Sequence, residues 1–256
     1  MEKNRPLTSI IMLAYDLNQM MRQVTALAIE AIVKYTDEED YELILVDTVS
    51  KGCENLTFYD TFDVFQFGKR EDRRVIKQYL RDMDNPGQYE SYNIGAKIAK
   101  GDYLCFMQND VIVTEGWLGN MKYPLDNNLA KAIQPNQFPK NRKYVKWAYG
   151  LDPSGEDCLK GARDAGMTMM ARDTFEKIGG WNGKIKMFFG EKDIYERLDK
   201  IGISVYGVTK AMVLHLNSMT YYARNDIEKE KMREDINVSA DETNQKIIMG
   251  GQAVPI

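Results

Sequence analysis

The stretch Asn93-Ile-Gly-Ala-Lys-Ile-Ala-Lys-Gly-Asp-Tyr-Leu-Cys-Phe-Met-Gln-Asn-Asp110 decides how the rest of the chain reads. Its first part belongs to a short helix over Ser91–Lys100, which Gly101 closes as a left-handed cap. Its second part, Asp102–Gln108, is an apolar strand that runs out at a carboxylate, Asp110. Further along, Lys210-Ala-Met-Val-Leu-His215 repeats the pattern, an apolar strand ending at the chain's single histidine. A carboxylate and an imidazole at the same edge of one sheet can hold a divalent metal. Such an edge is where a nucleotide diphosphate sits in open α/β folds. The alternative is a surface aspartate and an unrelated, hydrogen-bonded histidine.

Working outward, Leu7–Ala14 and Tyr41–Val46 read as buried strands, the second ending at Asp47. Asn18–Tyr35 carries an apolar stripe at helical spacing. Thr61–Phe67 reads as a strand, and Val75–Arg81 as a helix that stops before the Asn85-Pro86-Gly87 turn. This alternation predicts an α/β fold with a mostly parallel central sheet flanked by helices. In such sheets ligands gather at the carboxyl ends of strands, which places Asp47 and Asp110 in one crevice.

After Pro124 the character changes. Residues 134–165 are rich in Pro, Asn, Lys and Gly and read as an irregular insertion. Gly166–Ala171 returns to strand, and Thr174–Gly179 is a helical turn. Lys192–Lys200 is a helix, followed by a strand near Ile203–Tyr206. Residues 225–249 are charged and form a helical C-terminal tail.

The chain has 256 residues, 44% of them apolar and 28% charged, as expected of a globular enzyme able to bury its own core. Cys53, Cys105 and Cys158 show no CxxC spacing, which argues against structural zinc and for a reducing compartment. Cys105 lies within an apolar strand and reads as core. No apolar run approaches bilayer length and no leader pattern opens the chain, so the expected location is cytoplasmic. A net charge of -4 gives no global signature of nucleic-acid binding.

In order, these pieces resemble the GT-A glycosyltransferases, most closely the inverting family 2 sugar transferases, over roughly residues 6–218. Ala14-Tyr15-Asp16 looks like the family's first nucleotide-contacting turn, and Leu45-Val46-Asp47 like its second strand with a nucleoside-binding aspartate. Tyr92-Asn93-Ile-Gly95-Ala-Lys-Ile-Ala99-Lys-Gly101-Asp102-Tyr103 is similar to the segment before the metal motif. There Asn93 can bond near the nucleotide, while Gly95 and Ala99 permit close helix–sheet packing. The metal motif, normally Asp-x-Asp, is Gln108-Asn109-Asp110 here. The resemblance makes Asp110 and His215 the ligands of Mn²⁺ or Mg²⁺, with Asn109 beside the nucleotide.

Gly179-Gly180-Trp181-Asn182 and Phe188-Phe189-Gly190-Glu191-Lys192-Asp193-Ile194-Tyr195-Glu196-Arg197-Leu198 look like the family's acceptor and base block. Glu191 falls where the family carries an aspartate base, and Asp193 is the second candidate. Both are also ordinary acids for a helix start. Arg197 braces the acidic loop, Gly190 lines the acceptor site, and Trp181 either stacks on a sugar or is a core aromatic.

The resemblance implies a GT-A, Rossmann-like domain over 1–218, with a nucleotide-sugar half at 1–115 and an acceptor half at 116–218. A helical tail follows over 219–256. It implies a metal-dependent inverting transfer from a nucleotide sugar, a UDP-sugar first, to a saccharide, lipid-linked or protein acceptor. Lys140, Arg142, Lys143, Tyr144, Lys146, Trp147 and Tyr149 interleave charge with aromatics and keep a modified nucleic acid open as acceptor, a lesser option for an acidic chain. A non-catalytic GT-A-like domain binding sugar nucleotides is the alternative that Gln108 supports. A nucleotidyltransferase would need a glycine-rich phosphate loop after the first strand, which Ala14-Tyr15-Asp16-Leu17-Asn18 lacks.

Overall fold

β1 (Thr8–Ala14) is buried at every residue but Leu13, with Ile10 and Met12 on one face and Ile11 on the other. Successive strand residues point to opposite faces, so both faces of the sheet must be covered. The computed structural model describes residues 7–16, 18–36, 41–48, 75–79, 86–138, 158–160 and 166–216, with short pieces at 229–230, 233–235, 248–249 and 252–253.

One face of β1 is covered by α1 (Gln19–Tyr35), whose Ala28 and Ile32 pack with Ile10, Met12 and Cys105. Asn18 caps this helix by accepting the Met21 N–H at 3.0 Å, a device worth about 1 kcal/mol. The other face is covered by α2 (Gln88–Ile98), which brings Tyr89 and Tyr92 against Ile11, Ile44 and Phe106.

β2 (Tyr41–Asp47), β3 (Val75–Tyr79) and β4 (Tyr103–Met107) join β1 in parallel, with β1 between β2 and β4 and β3 outside β2. The remaining strands are β5 (Val111–Val113), β6 (Ala132–Phe138), β7 (Cys158–Lys160), β8 (Met167–Ala171) and β9 (Val205–His215). The sheet runs β3-β2-β1-β4-β8-β6-β9-β5, and β7 also pairs with β9. It is parallel on one half and mixed on the other, where β8 is antiparallel to β4 and β6 while β9 runs parallel to β6. Further helices among the described residues are α3 (Trp117–Asp126), α4 (Arg172–Lys177) and α5 (Gly190–Lys200). A separate pair, β10 (Ile248–Met249) and β11 (Gln252–Ala253), is antiparallel.

Several expectations change. Val75–Tyr79 is a strand rather than a helix, in register with Leu43–Asp47. Its β-branched and aromatic residues suit the pleat better than the short helical repeat they imitate. Gly101 is not a left-handed cap. The helix ends at Ile98, with Ala99 in extended conformation. Glycine is needed at 101 because a Cβ there would stand 2.5 Å from the Ser9 nitrogen and 2.8 Å from the Leu7 oxygen. Residues 134–138, read as irregular, belong to β6, which tolerates Pro135 because the register to β9 shifts between Pro135 and Asn136. The strands read at Ile203–Tyr206 and Lys210–His215 are one continuous β9 starting at Val205. The strand expected over Thr61–Phe67, the basic–aromatic run 140–149 and most of the tail lie outside the described residues. Within the tail, 229–230 and 233–235 are helical.

Gly95 sets how closely α2 lies on the sheet. A Cβ there would stand 2.4 Å from Ile11 Cγ2 and 3.1 Å from Val46 Cγ2, both in stiff β-branched side chains. Gly95→Ala is expected to destabilise the fold by about 1–3 kcal/mol through overpacking. Thermal melting checks this; a variant melting with the parent would mean that α2 can lift off without cost.

Candidate active site

Four parallel strands and β9 point their carboxyl ends to one edge, and β5 starts there. Backbone pairing sets Val111 opposite His215, and the Leu216 N–H donates to the Asp110 carbonyl at 2.9 Å. The ladder therefore brings together the two residues that were far apart in sequence. His215 Nε2 lies 3.3 Å from Asp110 Oδ1, with both side chains buried. Although close enough for an ion pair, Asp110 Oδ1 makes no aligned hydrogen bond among the described residues. On the far side of the ring, Nδ1 is 2.9 Å from Gln137 Oε1 of β6. With the glutamine oxygen accepting from Nδ1–H, the Nε2 of a neutral ring would turn its lone pair toward the carboxylate.

Two electron-rich atoms facing each other across this gap are what a shared cation resolves. Ligands at about 2.1–2.2 Å from one metal in adjacent positions stand about 3 Å apart, close to the observed separation. The spacing and donor set of the pair therefore fit a divalent metal. Among the described residues no group of three or more His, Cys, Asp and Glu gathers around one point. Gln137 was missed in the sequence because it lies in the Pro- and Asn-containing stretch read as irregular.

The loop carrying Asp110 is fixed from below. Asn109 Nδ2 donates to Thr25 Oγ1 at 2.8 Å and to Asp16 Oδ1 at 3.3 Å, and the Thr25 hydroxyl donates to Asp16 at 2.8 Å. All three are buried, so Asn109 is turned into the protein and joins the β1–α1 turn to the loop carrying Asp110. Neither Asp16 nor Thr25 was singled out in the sequence, although Asp16 stood inside the quoted turn. Ala14 is fully buried, and its carbonyl accepts from the Thr48 N–H at 3.0 Å and from the Thr48 hydroxyl at 3.3 Å. Asp47 is buried opposite Ala14 at the end of β2, and Tyr15 is half-buried beside Asp16.

Asn93, half-buried on α2, bonds to Trp181 and Glu90. Its Oδ1 accepts the Trp181 N–H at 2.9 Å, and its Nδ2 donates to the Trp181 carbonyl at 3.0 Å and to Glu90 at 3.0 Å. Trp181 is 4% exposed and packs among Tyr89, Tyr92 and Phe106.

α5 opens with Glu191 and Asp193 in its first turn, after Phe188 and Phe189 at φ of 53 and 56°. Left-handed backbone at two consecutive phenylalanines is a strained entry into a helix, and such strain persists only where the surroundings enforce it. The two acids differ in their surroundings. Asp193 Oδ2 accepts from Arg197 Nε at 2.9 Å and Nη2 at 2.6 Å, while Arg197 Nη1 donates to the Ile178 and Gly180 carbonyls. Asp193 thus belongs to a brace tying α5 to the Gly179-Gly180 loop. Glu191 Oε2 instead accepts the Tyr89 hydroxyl at 2.6 Å. α2 leads back into β4, so its first turn, with Tyr89, lies at the carboxyl edge of the parallel strands. Glu191 is therefore brought to the same edge as Asp110 and His215.

Cys105 is buried in β4, and burial pushes its thiol well above the ordinary range, so it packs as an inert core residue. No described helix is long and apolar enough to cross a membrane.

The model of the family described as Glycosyl transferase family 2 matches residues 9–197. The putative polypeptide N-acetylgalactosaminyltransferase 13 of Drosophila melanogaster is 28% identical over 186 residues, covering 60% of this chain. The match takes in 32% of that protein, so the chain spans a minor share of the relative's length. Among solved structures, the mannosyltransferase PcManGT from Pyrobaculum calidifontis, in complex with GDP-Man and Mn²⁺, aligns with a TM-score of 0.64. Its identity is 11%, over 96% of this chain and 67% of that one. GalNAc-T7 with UDP, GalNAc and Mn²⁺ aligns with a TM-score of 0.58 at 15% identity, over 84% of this chain and 44% of that one. At such identities the structural likeness speaks for the fold.

Proposed function

We propose, from the premise that this chain belongs to glycosyltransferase family 2, that it moves a sugar from a nucleotide sugar to an acceptor hydroxyl. The observation carrying this reading is the buried Asp110–His215 pair at the sheet edge to which Glu191 is also brought. Asp110 and His215 would hold Mn²⁺ or Mg²⁺, and the metal would supply charge neutralisation for the departing nucleoside diphosphate. Asp47, Tyr15 and the β1–α1 turn line the nucleoside end of the edge. Glu191 takes the proton of the acceptor hydroxyl as its oxygen attacks the anomeric carbon, and the bond from that carbon to the diphosphate breaks. Attack from the face opposite the diphosphate inverts the anomeric centre.

A UDP-sugar is the first donor to try. The family resemblance supports it, as does the fly relative, whose name carries N-acetylgalactosamine transfer. That name also brings polypeptides into the acceptor panel beside saccharides and lipid-linked saccharides. Gln108 in place of a carboxylate favours the second reading, a domain that binds sugar nucleotides without turnover.

A thermal-shift screen with UDP-glucose, UDP-GlcNAc, UDP-GalNAc and GDP-mannose, each with Mn²⁺, Mg²⁺ or EDTA, tests the binding step. At a hundred times Kd a ligand stabilises by about 2.7 kcal/mol. For a domain of this size that raises Tm by roughly 5–10 °C. The rise is expected with metal and lost with EDTA; no rise with any of the four would remove the donor-binding reading. Release of nucleoside diphosphate from the bound donor separates the enzyme from the binding domain.

A further inference from the structure

We propose that Tyr89 is the positioning residue for the general base, its phenol fixing the Glu191 carboxylate at the carboxyl edge of the sheet. This rests on Glu191 being the base. The side chain at this position is a glutamate, one methylene longer than the family's aspartate. An extra rotatable bond leaves a carboxylate less well placed, and misplacement by about 1 Å can cost a hundredfold in rate. A base on a longer stem therefore needs a second attachment, and the structure holds one.

Tyr89 cannot swing away from this contact. It is fully buried, and Trp181 stacks on its ring at 5.2 Å between centroids. Gly190 presses its backbone against the other atoms of the ring, since a Cβ at 190 would stand 2.3–2.5 Å from three ring carbons. The residue before the base is thus a glycine so that the tyrosine can lie under the start of α5. From this fixed ring the hydroxyl reaches Glu191 Oε2 at 2.6 Å, the length of a charge-assisted O–H···O bond. Burial first, and the neighbouring Glu191 charge second, push the phenol well above its ordinary value. Tyr89 therefore remains a donor wherever the enzyme works.

Among the described residues, other charged and titratable groups of α2 and α5 have contacts of their own. Tyr92 of α2 also feels the Glu191 charge. On α5, Asp193 is paired with Arg197, and Lys192 with Glu196. Before the helix, Lys186 donates to the Pro86 carbonyl. A hydroxyl donating to the ionised carboxylate favours that form, so its removal moves the acid limb of the rate profile to higher pH.

The test uses the full chain with Mn²⁺ and UDP-GalNAc, UDP-glucose or GDP-mannose, whichever raises Tm most, and follows release of nucleoside diphosphate to water. In that reaction the water oxygen attacks the anomeric carbon, Glu191 takes its proton, and the diphosphate leaves. Tyr89→Phe keeps the ring under Gly190 and against Trp181. It is expected to lower kcat by about tenfold to a hundredfold with donor KM within twofold. Its acid limb is expected to move to higher pH. Glu191→Asp withdraws the carboxylate from the phenol, so adding Tyr89→Phe to it is expected to cost nothing further. A Tyr89→Phe profile that superimposes on the parent's, or an equal further loss in the Glu191→Asp background, overturns the inference. Full activity in Glu191→Gln removes the base reading and this inference with it. An inactive Glu191→Gln beside an unaffected Tyr89→Phe removes the role of Tyr89 alone.

Discussion

Glu191→Gln is expected to lower the rate of sugar transfer by about 10²–10⁴-fold while donor affinity and Tm stay near those of the parent. The amide keeps the shape of the side chain and can still accept the Tyr89 hydroxyl through its oxygen. It cannot take a proton from the acceptor. The comparison that gives this result meaning is Asp193→Asn. Asp193 receives both Nε and Nη2 of Arg197, and Arg197 in turn reaches the Ile178 and Gly180 carbonyls. Weakening that brace is expected to appear mainly as lost stability, about 1–3 kcal/mol for a partly buried charged hydrogen bond. Steady-state kinetics with melting curves on both variants separates the two acids. If Asp193→Asn lost turnover with an unchanged Tm while Glu191→Gln kept it, the roles would be reversed.

Asp110→Ala is expected to abolish the metal-dependent part of nucleotide binding. The carboxylate is the one acidic ligand in the Gln108-Asn109-Asp110 turn, and its loss leaves His215 as the only protein ligand of the proposed pair. A metal at a diphosphate contributes several kcal/mol, so a loss of about 3 kcal/mol, or roughly a hundredfold in apparent affinity, follows. Titration of UDP with Mn²⁺ against UDP with EDTA reads this directly. The parent should show a large difference between the two titrations and Asp110→Ala almost none. A variant whose Mn²⁺ effect equals the parent's would show that the metal, if bound, is held without Asp110.

The central strands were legible because burial on both faces leaves little freedom in residue type. Leu7–Ala14 and Tyr41–Val46 are runs that only a covered sheet can use, and the structure keeps both within a residue. The edges were harder to read. Val75–Tyr79 is five residues long, and over so short a span helical and strand periodicities do not separate. Pro135 argued against a strand, and only the register shift beside it explains how β6 accommodates a proline. In the site, Asp110 and His215 could be found because each ends an apolar strand. Their supports could not, since Gln137, Thr25 and Tyr89 reach their partners through tertiary packing alone. Trp181 and Asn93 show the reverse case. Both were read from a motif in order along the chain, and only the fold shows the Asn93 amide bonded to the Trp181 backbone while the indole packs among aromatic rings.

The clasp between Asn93 and the Trp181 backbone bears on how this fold can be recombined. Asn93 lies before residue 115 and Trp181 after it, and so do the two partners of the Tyr89–Glu191 contact. A chimera that exchanged residues 116–218 for another family member's would take Glu191, the proposed base, from one parent and Tyr89 from the other. The unit that can be transplanted intact includes α2, the Gly-Gly-Trp loop and the start of α5, a module assembled from both sides of the apparent boundary.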